Sequence, residues 1–196
     1  MLVYLEGRTS GRLRAEREGL SALDARELSF RAWGSTIVNA AFAYTRPEGN
    51  RFNGPSRGAW YCAFEDMTAI AEVGFHRTRE LRRIGVFEDE AVYQTYLADF
   101  IGRFRDARTD HAATGLPPYL EPEPDVAYPA GQELAERLRS LEPPARGLVY
   151  PSARRPGGTC LVAFHPQVVQ DVRPGARWRF MWDGSPDFAV EQDVDG

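Results

Sequence analysis

The sequence predicts a single α+β domain, because helical patterns dominate its first half and strand patterns its second half. Its 196 residues are enough for one domain with its own core. The composition of 43% hydrophobic and 27% charged residues is typical of a soluble globular protein. One aromatic strand, "AWYCAF" (59–64), precedes the first strong helical pattern. We therefore expect helices that flank mixed or antiparallel strands.

Residues 1–30 are predicted to form an N-terminal extension, with a short helix at "LSALDARELSF" (20–30), and residues 31–196 the main domain. A helix should begin at Asp66, which would act as the N-cap. Its apolar residues recur at helical spacing and should face the core: Met67, Ile70, Ala71, Gly74 and Phe75. A second helix is predicted over 88–107, because apolar residues recur there at the same period between acids and arginines.

The second half of the sequence begins with a proline-rich stretch, "GLPPYLEPEPDVAYP" (115–129), which predicts a loop or an extended connection. A short helix should follow at 131–141. Three strands are then predicted, separated by glycine-containing turns: 146–152, 159–166 and 177–182.

Bulk properties exclude several classes of protein. The N-terminus lacks the apolar run of a signal peptide, and no segment reaches the ~20 apolar residues of a membrane helix, so we expect a cytoplasmic protein without membrane contact. The formal net charge of −4 argues against direct binding of nucleic acid. All 24 basic residues are arginine, so an arginine cluster alone carries little functional weight. Cys62 and Cys160 lie in apolar strands and predict buried, unpaired thiols.

Four polar residues on different elements are candidates for a site, although each has an ordinary alternative. Glu72 borders the buried stripe of the first helix, but it fits equally an exposed glutamate paired with His76 at i+4. Arg51 follows a turn and fits a solvated arginine. Tyr61 fits a half-buried strand tyrosine. Ser152 ends a strand and fits a turn serine.

Other motifs point less clearly to chemistry. The three histidines, His76, His111 and His165, have no metal-ligand spacing, so no metal site is expected. No P-loop, dinucleotide fingerprint or nucleophile elbow is present. The turn "SARRPGG" (152–158) suits an anion site built from backbone amides and arginines, or else an exposed basic loop.

Two stretches together resemble the RES domain family, named for its arginine, glutamate and serine. They are "GNRFNGPSRGAWYCAFEDMTAIAEVGFH" (49–76) and "RGLVYPSARRPGGTCLVAFHP" (146–166). The family's arginine, tyrosine, glutamate and serine fall on Arg51, Tyr61, Glu72 and Ser152. The asparagine that often follows the arginine falls on Asn53, and the arginine that opens shorter members falls on Arg31.

This resemblance implies a fold similar to the ADP-ribosyltransferases and an enzyme that degrades NAD. Family members are toxins of toxin–antitoxin pairs, so the resemblance also implies growth arrest through NAD depletion and an Xre-type helix-turn-helix antitoxin as partner. NAD would be the substrate, with no further cofactor, and water or inorganic phosphate the acceptor of the ADP-ribosyl group.

The resemblance assigns a role to each matched residue. Glu72, Arg51 and Tyr61 would be catalytic: an ionised Glu72 would stabilise positive charge on the ribose, Arg51 would hold a phosphate, and Tyr61 would orient nicotinamide or ribose. Ser152, Arg31 and Asn53 would bind substrate, or Ser152 would instead hold Glu72 in place. Two alternatives stay open, namely transfer of ADP-ribose to a protein target and a non-catalytic interaction module.

Overall fold

An eight-stranded sheet forms the centre of the structure, a computed structural model that describes residues 2–6, 26–29, 33–110 and 115–194. The strands lie in the order β4-β5-β6-β2-β1-β3-β7-β8. Only β4 and β5 run parallel among the described neighbours, and all other pairs are antiparallel. The strands are β1 (Leu2–Glu6), β2 (Trp60–Ala63), β3 (Glu88–Phe100), β4 (Phe104–Asp106), β5 (Gly147–Pro151), β6 (Thr159–Ala163), β7 (Val169–Asp183) and β8 (Ala189–Gln192).

Helices pack on both faces of this sheet, which confirms the predicted α+β architecture. The described helices are α1 (Ser35–Ala43), α2 (Asp66–Ile84) and α3 (Pro124–Arg139), with 3-10 turns at Pro118–Leu120 and Pro166–Val168. Because side chains alternate along a strand, Trp60 and Cys62 join the core under α1, while Ala63 joins the core under α3. None of the helices within the described ranges is long and apolar enough to cross a membrane.

The predicted N-terminal extension contributes a strand to the interior of the sheet. β1 pairs with β2 on one side and with β3 on the other. Arg31 and most of the helix predicted over 20–30 lie outside the described residues, and residues 26–29 form a turn and a bend. The predicted boundary between extension and domain stays a prediction.

The helix predicted over 88–107 is wrong, because this segment forms β3 and β4. β3 pairs with β7 along most of its length, and the register shifts between Gln94 and Tyr96 and again between Leu97 and Asp99. Each shift interrupts the alternation of a regular strand, so the apolar residues recur at intervals that resemble a helix. The aromatic and β-branched residues of the segment favour the strand that is observed.

The loop predicted over 115–129 is wrong in its second part, since α3 already begins at Pro124. Proline suits the first position of a helix, because the N–H that it lacks has no partner there. Pro129 lies inside α3. The first part of the prediction holds, with an irregular connection that includes the 3-10 turn at Pro118–Leu120.

α2 begins at the predicted residue, but its buried face is rotated from the predicted one. Glu65, not Asp66, occupies the N-cap and makes no side-chain cap. Met67 is 48% exposed, contrary to the prediction, whereas Ile70 and Gly74 are buried as predicted. The buried residues are Thr68, Ala69, Ile70, Gly74, Thr78 and Leu81. At the start of this face Thr68 packs against the turn after β5, where a Cβ on Gly158 would lie 2.7 Å from Thr68 Oγ1.

The sequence predicts four strands correctly, and the first three of them form the scaffold of the site. The four strands are β2, β5, β6 and the second half of β7. The first three are neighbours in the sheet, so residues far apart in the sequence come together. Cys62 and Cys160 are buried and unpaired with each other, as predicted.

We predict that Gly74→Ala destabilises the protein, although alanine favours helices by about 1 kcal/mol over glycine. A Cβ at Gly74 would lie 2.1 Å from the ring of Phe188, and a clash of that size costs about 1–3 kcal/mol. Thermal melts of the wild type and the variant should show a lower Tm for Gly74→Ala. Arg82→Ala, on the exposed face of the same helix, is the control and should change stability by less than about 0.5 kcal/mol. A Gly74→Ala protein that melts at or above the wild-type temperature would contradict this packing.

Candidate active site

A cavity of about 320 Å³ opens where α2 and α3 meet β2, β5 and β6. Its volume lies within the range of small-molecule sites, about 300–1,000 Å³. Its wall combines arginines, one carboxylate, one histidine and three tyrosines. The lining residues are Arg46, Asn50, Arg51, Tyr61, Cys62, Ala63, Ala69, Glu72, Val73, His76, Tyr128, Tyr150, Arg154 and Cys160.

Glu72 is held in the cavity wall by a hydrogen bond from across the site. The hydroxyl of Ser152 donates to Glu72 Oε1 at 2.7 Å, and the thiol of Cys160 lies 3.9 Å from the same oxygen. Glu72 is half-buried on α2, while Ser152 directly follows β5. The alternative of an exposed glutamate paired with His76 is therefore wrong.

The turn after β5 fixes the hydroxyl of Ser152 before it reaches Glu72. Ser152 Oγ accepts hydrogen bonds from the backbone N–H groups of Arg154 and Arg155, at 3.1 and 3.0 Å. With two donors pointing at its oxygen, the hydroxyl proton is directed to the carboxylate. The turn is tied to α2 a second time, because Arg155 forms an ion pair with Glu65 and donates to Thr68 Oγ1.

Arg51 reaches the cavity from a turn that α3 holds in place. Gly131 of α3 packs so closely on this turn that a Cβ there would lie 2.1 Å from the carbonyl oxygen of Arg51. The side chain of Gln132 donates to the carbonyls of Glu48 and Asn50. The Nη1 group of Arg51 donates to two carbonyls of the proline-rich connection, which leaves Nε and Nη2 without a partner among the described residues.

Tyr61 joins this turn to the sheet through its hydroxyl. The hydroxyl accepts from the backbone N–H of Phe52 at 2.8 Å and donates to Asn53 Oδ1 at 2.9 Å. Asn53 is 1% exposed, and its Nδ2 donates to the carbonyls of Gly54 and Arg57. Burial raises the pKa of Tyr61, so the hydroxyl stays protonated. Tyr61 also lines the cavity.

Positive charge dominates the cavity wall. Arg46, Arg51 and Arg154 line it with Glu72 as the one carboxylate among the described residues. The guanidinium of Arg154 lies 3.3 Å from the centre of the Phe75 ring and donates to the Pro122 carbonyl. Burial lowers the pKa of Arg154 and the Glu72 charge opposes this, but a guanidinium stays charged at neutral pH. The wall thus suits an anionic ligand with a cationic centre near Glu72.

Comparison with known proteins identifies the family. The family model of the RES domain matches residues 27–183, which is most of the chain. The chain belongs to the RES domain family. A curated relative from Sinorhizobium fredii (strain NBRC 101917 / NGR234), "Uncharacterized protein y4oC", is 29% identical over 194 residues, which cover 94% of this chain and 72% of the relative.

The structure of this RES domain brings together three of the six residues predicted for the site as cavity lining: Arg51, Tyr61 and Glu72. Ser152 reaches the site through its bond to Glu72. Asn53 does not line the cavity and contacts the site through Tyr61. Arg31 lies outside the described residues.

Sequence reasoning missed several residues of the RES domain cavity. Arg154 belongs to the turn considered as an anion site, but its backbone N–H bonds to Ser152, and its side chain is what lines the cavity. Tyr128 lies in the stretch predicted as a loop, and Tyr150 on a strand without an obvious signal. His76 lies at i+4 from Glu72, a spacing that by itself predicts only a helix-surface pair.

Cys160 is a packing residue in this site. It is 2% exposed, and burial together with the Glu72 charge raises the pKa of its thiol. A thiol that stays protonated is a weak nucleophile. Within the described ranges, no group of three or more histidine, cysteine, aspartate or glutamate side chains is placed to hold a metal ion.

We predict that Tyr61→Phe destabilises the RES domain while leaving the cavity wall in place. The change removes the acceptor of the Phe52 N–H and the donor to Asn53, and an unsatisfied buried group costs about 1–3 kcal/mol. For a domain of this size the Tm should fall by about 2–4 °C for each kcal/mol. Tyr93→Phe on β3 is a control, because no hydrogen bond of its hydroxyl is found among the described residues, and it should melt close to the wild type. Equal melting of Tyr61→Phe and the wild type would mean that the hydroxyl does not hold the turn.

Proposed function

We propose that this RES domain protein cleaves the bond between nicotinamide and ribose in NAD, with water or inorganic phosphate as the acceptor. The observation that carries the proposal is the Glu72 carboxylate, which Ser152 holds at 2.7 Å in a cavity lined by three arginines. NAD has the matching charges, since a diphosphate lies near a ribose that becomes positive when nicotinamide leaves. Membership of the RES domain family supports the same substrate.

The reaction needs little acid catalysis but strong electrostatic stabilisation. The nicotinamide ring of NAD is a cationic pyridinium, and it becomes a neutral molecule when its bond to ribose breaks. Positive charge meanwhile develops on the ribose in an oxocarbenium-like transition state. One carboxylate about 4 Å from that charge contributes about 4 kcal/mol at an effective dielectric of 20. Glu72 supplies this carboxylate, and Ser152 keeps it oriented so that no reorganisation is needed during the reaction.

The remaining cavity residues bind and orient the substrate in this proposal. Arg51, Arg154 and Arg46 hold the diphosphate, for which the planar guanidinium is suited. The rings of Tyr61, Tyr128 and Tyr150 offer apolar surface to nicotinamide and ribose. A new C–O bond to the acceptor then replaces the C–N bond to nicotinamide at the anomeric carbon.

This proposal includes a fold related to the ADP-ribosyltransferases. It also includes action in the cytoplasm, where NAD is available. The α+β architecture is compatible with that fold relationship, as is the Glu72 carboxylate, which alone among the carboxylates of the described residues faces the cavity. Transfer of ADP-ribose to a protein would be the same bond cleavage with a different acceptor.

We predict that purified wild-type protein releases nicotinamide from NAD and that Glu72→Gln lowers kcat by about 10²–10³. KM should change far less, because the charge that Glu72 stabilises develops in the transition state. The measurement is the amount of free nicotinamide and of the ADP-ribose product by chromatography, with and without phosphate, alongside thermal melts. Glu133→Gln, on the exposed surface of α3, removes a carboxylate elsewhere and should keep wild-type activity.

Each outcome of this assay has a defined meaning. A wild-type protein that releases no nicotinamide, with or without phosphate, would refute the proposed function and favour a non-catalytic module. A Glu72→Gln protein with near wild-type turnover would refute only the role of Glu72. A phosphorylated ADP-ribose product identifies phosphate as acceptor, and labelled protein formed from tagged NAD in lysate identifies the transferase.

We further propose that an Xre-type helix-turn-helix antitoxin restrains this activity by covering the cavity. An enzyme that drains NAD would otherwise arrest its own cell. The product of a neighbouring gene should copurify with the chain and suppress nicotinamide release, while expression of the chain alone should arrest growth and Glu72→Gln should not. Harmless expression of an active wild-type chain without any neighbour would contradict the toxin role.

A further inference from the structure

His76 is a polar residue of the cavity that the proposed mechanism leaves unused. It lies one helical turn beyond Glu72 on α2 and lines the same cavity. Its Nδ1 atom is buried and has no hydrogen-bond partner among the described residues. The ring packs edge-on against Phe75, with the ring centres 5.4 Å apart. A buried ring nitrogen without a partner in the wall of a cavity is an unsatisfied polar group that a ligand can bind.

The surroundings of His76 keep its imidazole neutral. Burial lowers its pKa to about 3, and four arginines that face it act in the same direction: Arg46, Arg79, Arg154 and Arg51. Because the pKa is lowered, the ring carries no charge at any pH well above 3. A neutral imidazole has one donor and one acceptor nitrogen, so it suits an uncharged polar group and not a phosphate.

The position of His76 indicates which part of the ligand it meets. Residues at i and i+4 on a helix have Cβ atoms about 5–6 Å apart, so His76 lies beside the group that Glu72 contacts. In the proposed function that group is the ribose next to nicotinamide. The uncharged polar groups there are the ribose hydroxyls and the carboxamide of nicotinamide.

We infer that His76 binds the nicotinamide riboside half of the substrate, with Nδ1 in a hydrogen bond to a ribose hydroxyl or to the carboxamide. This inference rests on the proposed function and adds to it a residue that recognises the reacting half of NAD. In the proposed function the arginines bind the charged half of NAD, so His76 would contribute contacts to the uncharged half.

Three substitutions separate this role from a structural one. His76→Asn keeps a polar atom near the position of Nδ1, His76→Gln places it near Nε2, and His76→Phe keeps the ring shape without any polar atom. Each is combined with Glu72→Gln so that NAD stays intact, and calorimetry measures its Kd for NAD. ADP, which lacks the nicotinamide riboside half, is the control ligand. Thermal melts show whether each variant is folded.

We predict that His76→Phe weakens NAD binding about ten-fold, the usual effect of losing one hydrogen bond between neutral groups. His76→Asn should stay within about three-fold of the parent, and His76→Gln should resemble His76→Phe. ADP should bind all variants alike. Because His76 is neutral, the difference between parent and His76→Phe should stay constant between about pH 5 and pH 8.

The inference is overturned if folded His76→Phe binds NAD as tightly as the parent, or if it loses affinity for ADP and NAD equally. Failure of His76→Asn to restore affinity, in a protein that melts like the parent, overturns it as well. Failure of the wild-type protein to release nicotinamide from NAD removes the proposed function itself. Normal NAD binding by His76→Phe, in contrast, removes only the role of His76.

Discussion

The hydrogen bond between Ser152 and Glu72 is the contact on which the site depends. It joins the turn after β5 to the middle of α2, across 80 residues of sequence. Without it, Glu72 would be one more helix glutamate at the border of a buried stripe. The bond forms because β6 lies between β5 and β2 in the sheet, and α2 follows β2 directly. The sheet order thereby converts a helix-surface residue into a fixed carboxylate within a cavity.

A second set of contacts holds the arginine side of the cavity. Tyr61 and Asn53 fasten the Arg51 turn to the sheet, and Gly131 of α3 packs against the backbone of the same turn. Arg51 in turn holds the connection at 119–121 by two hydrogen bonds. Tyr61 therefore holds the turn through its hydroxyl and also lines the cavity. Each side of the cavity is thus held in place by side-chain hydrogen bonds, from Ser152 to Glu72 on one side and from Tyr61 to Asn53 on the other.

The charges of the site follow from this arrangement. Among the described residues, three arginine side chains and one glutamate carboxylate line the cavity, so its wall carries net positive charge. The same arginines, together with burial, keep His76 uncharged. A substrate with a diphosphate and a centre that becomes cationic would match both features. In the proposed reaction, a carboxylate already hydrogen-bonded to Ser152 would stabilise charge that appears only in the transition state.

The sequence by itself determined the α+β class, the strands β2, β5 and β6, and the start of α2. It also determined membership of a family whose characteristic arginine, glutamate and serine match Arg51, Glu72 and Ser152. These depend on local patterns and on spacing along the chain, which a sequence records directly. It also marked "SARRPGG" as an anion site of backbone amides and arginines, and Arg154 of this turn lines the cavity.

Only the tertiary structure decided the secondary structure of residues 88–107 and which residues line the cavity. The sequence of β3 has a helix-like pattern because two register shifts in its pairing with β7 break the alternation of inward and outward side chains. α3 extends over a proline-rich stretch because Pro124 fits a helix start and the sheet offers a surface to pack on. His76, Tyr128 and Tyr150 acquire a shared cavity only when α2, α3 and β5 meet. Contacts between residues distant in sequence leave no local pattern, so neither this cavity nor the neutral charge of His76 could be deduced before the fold was known.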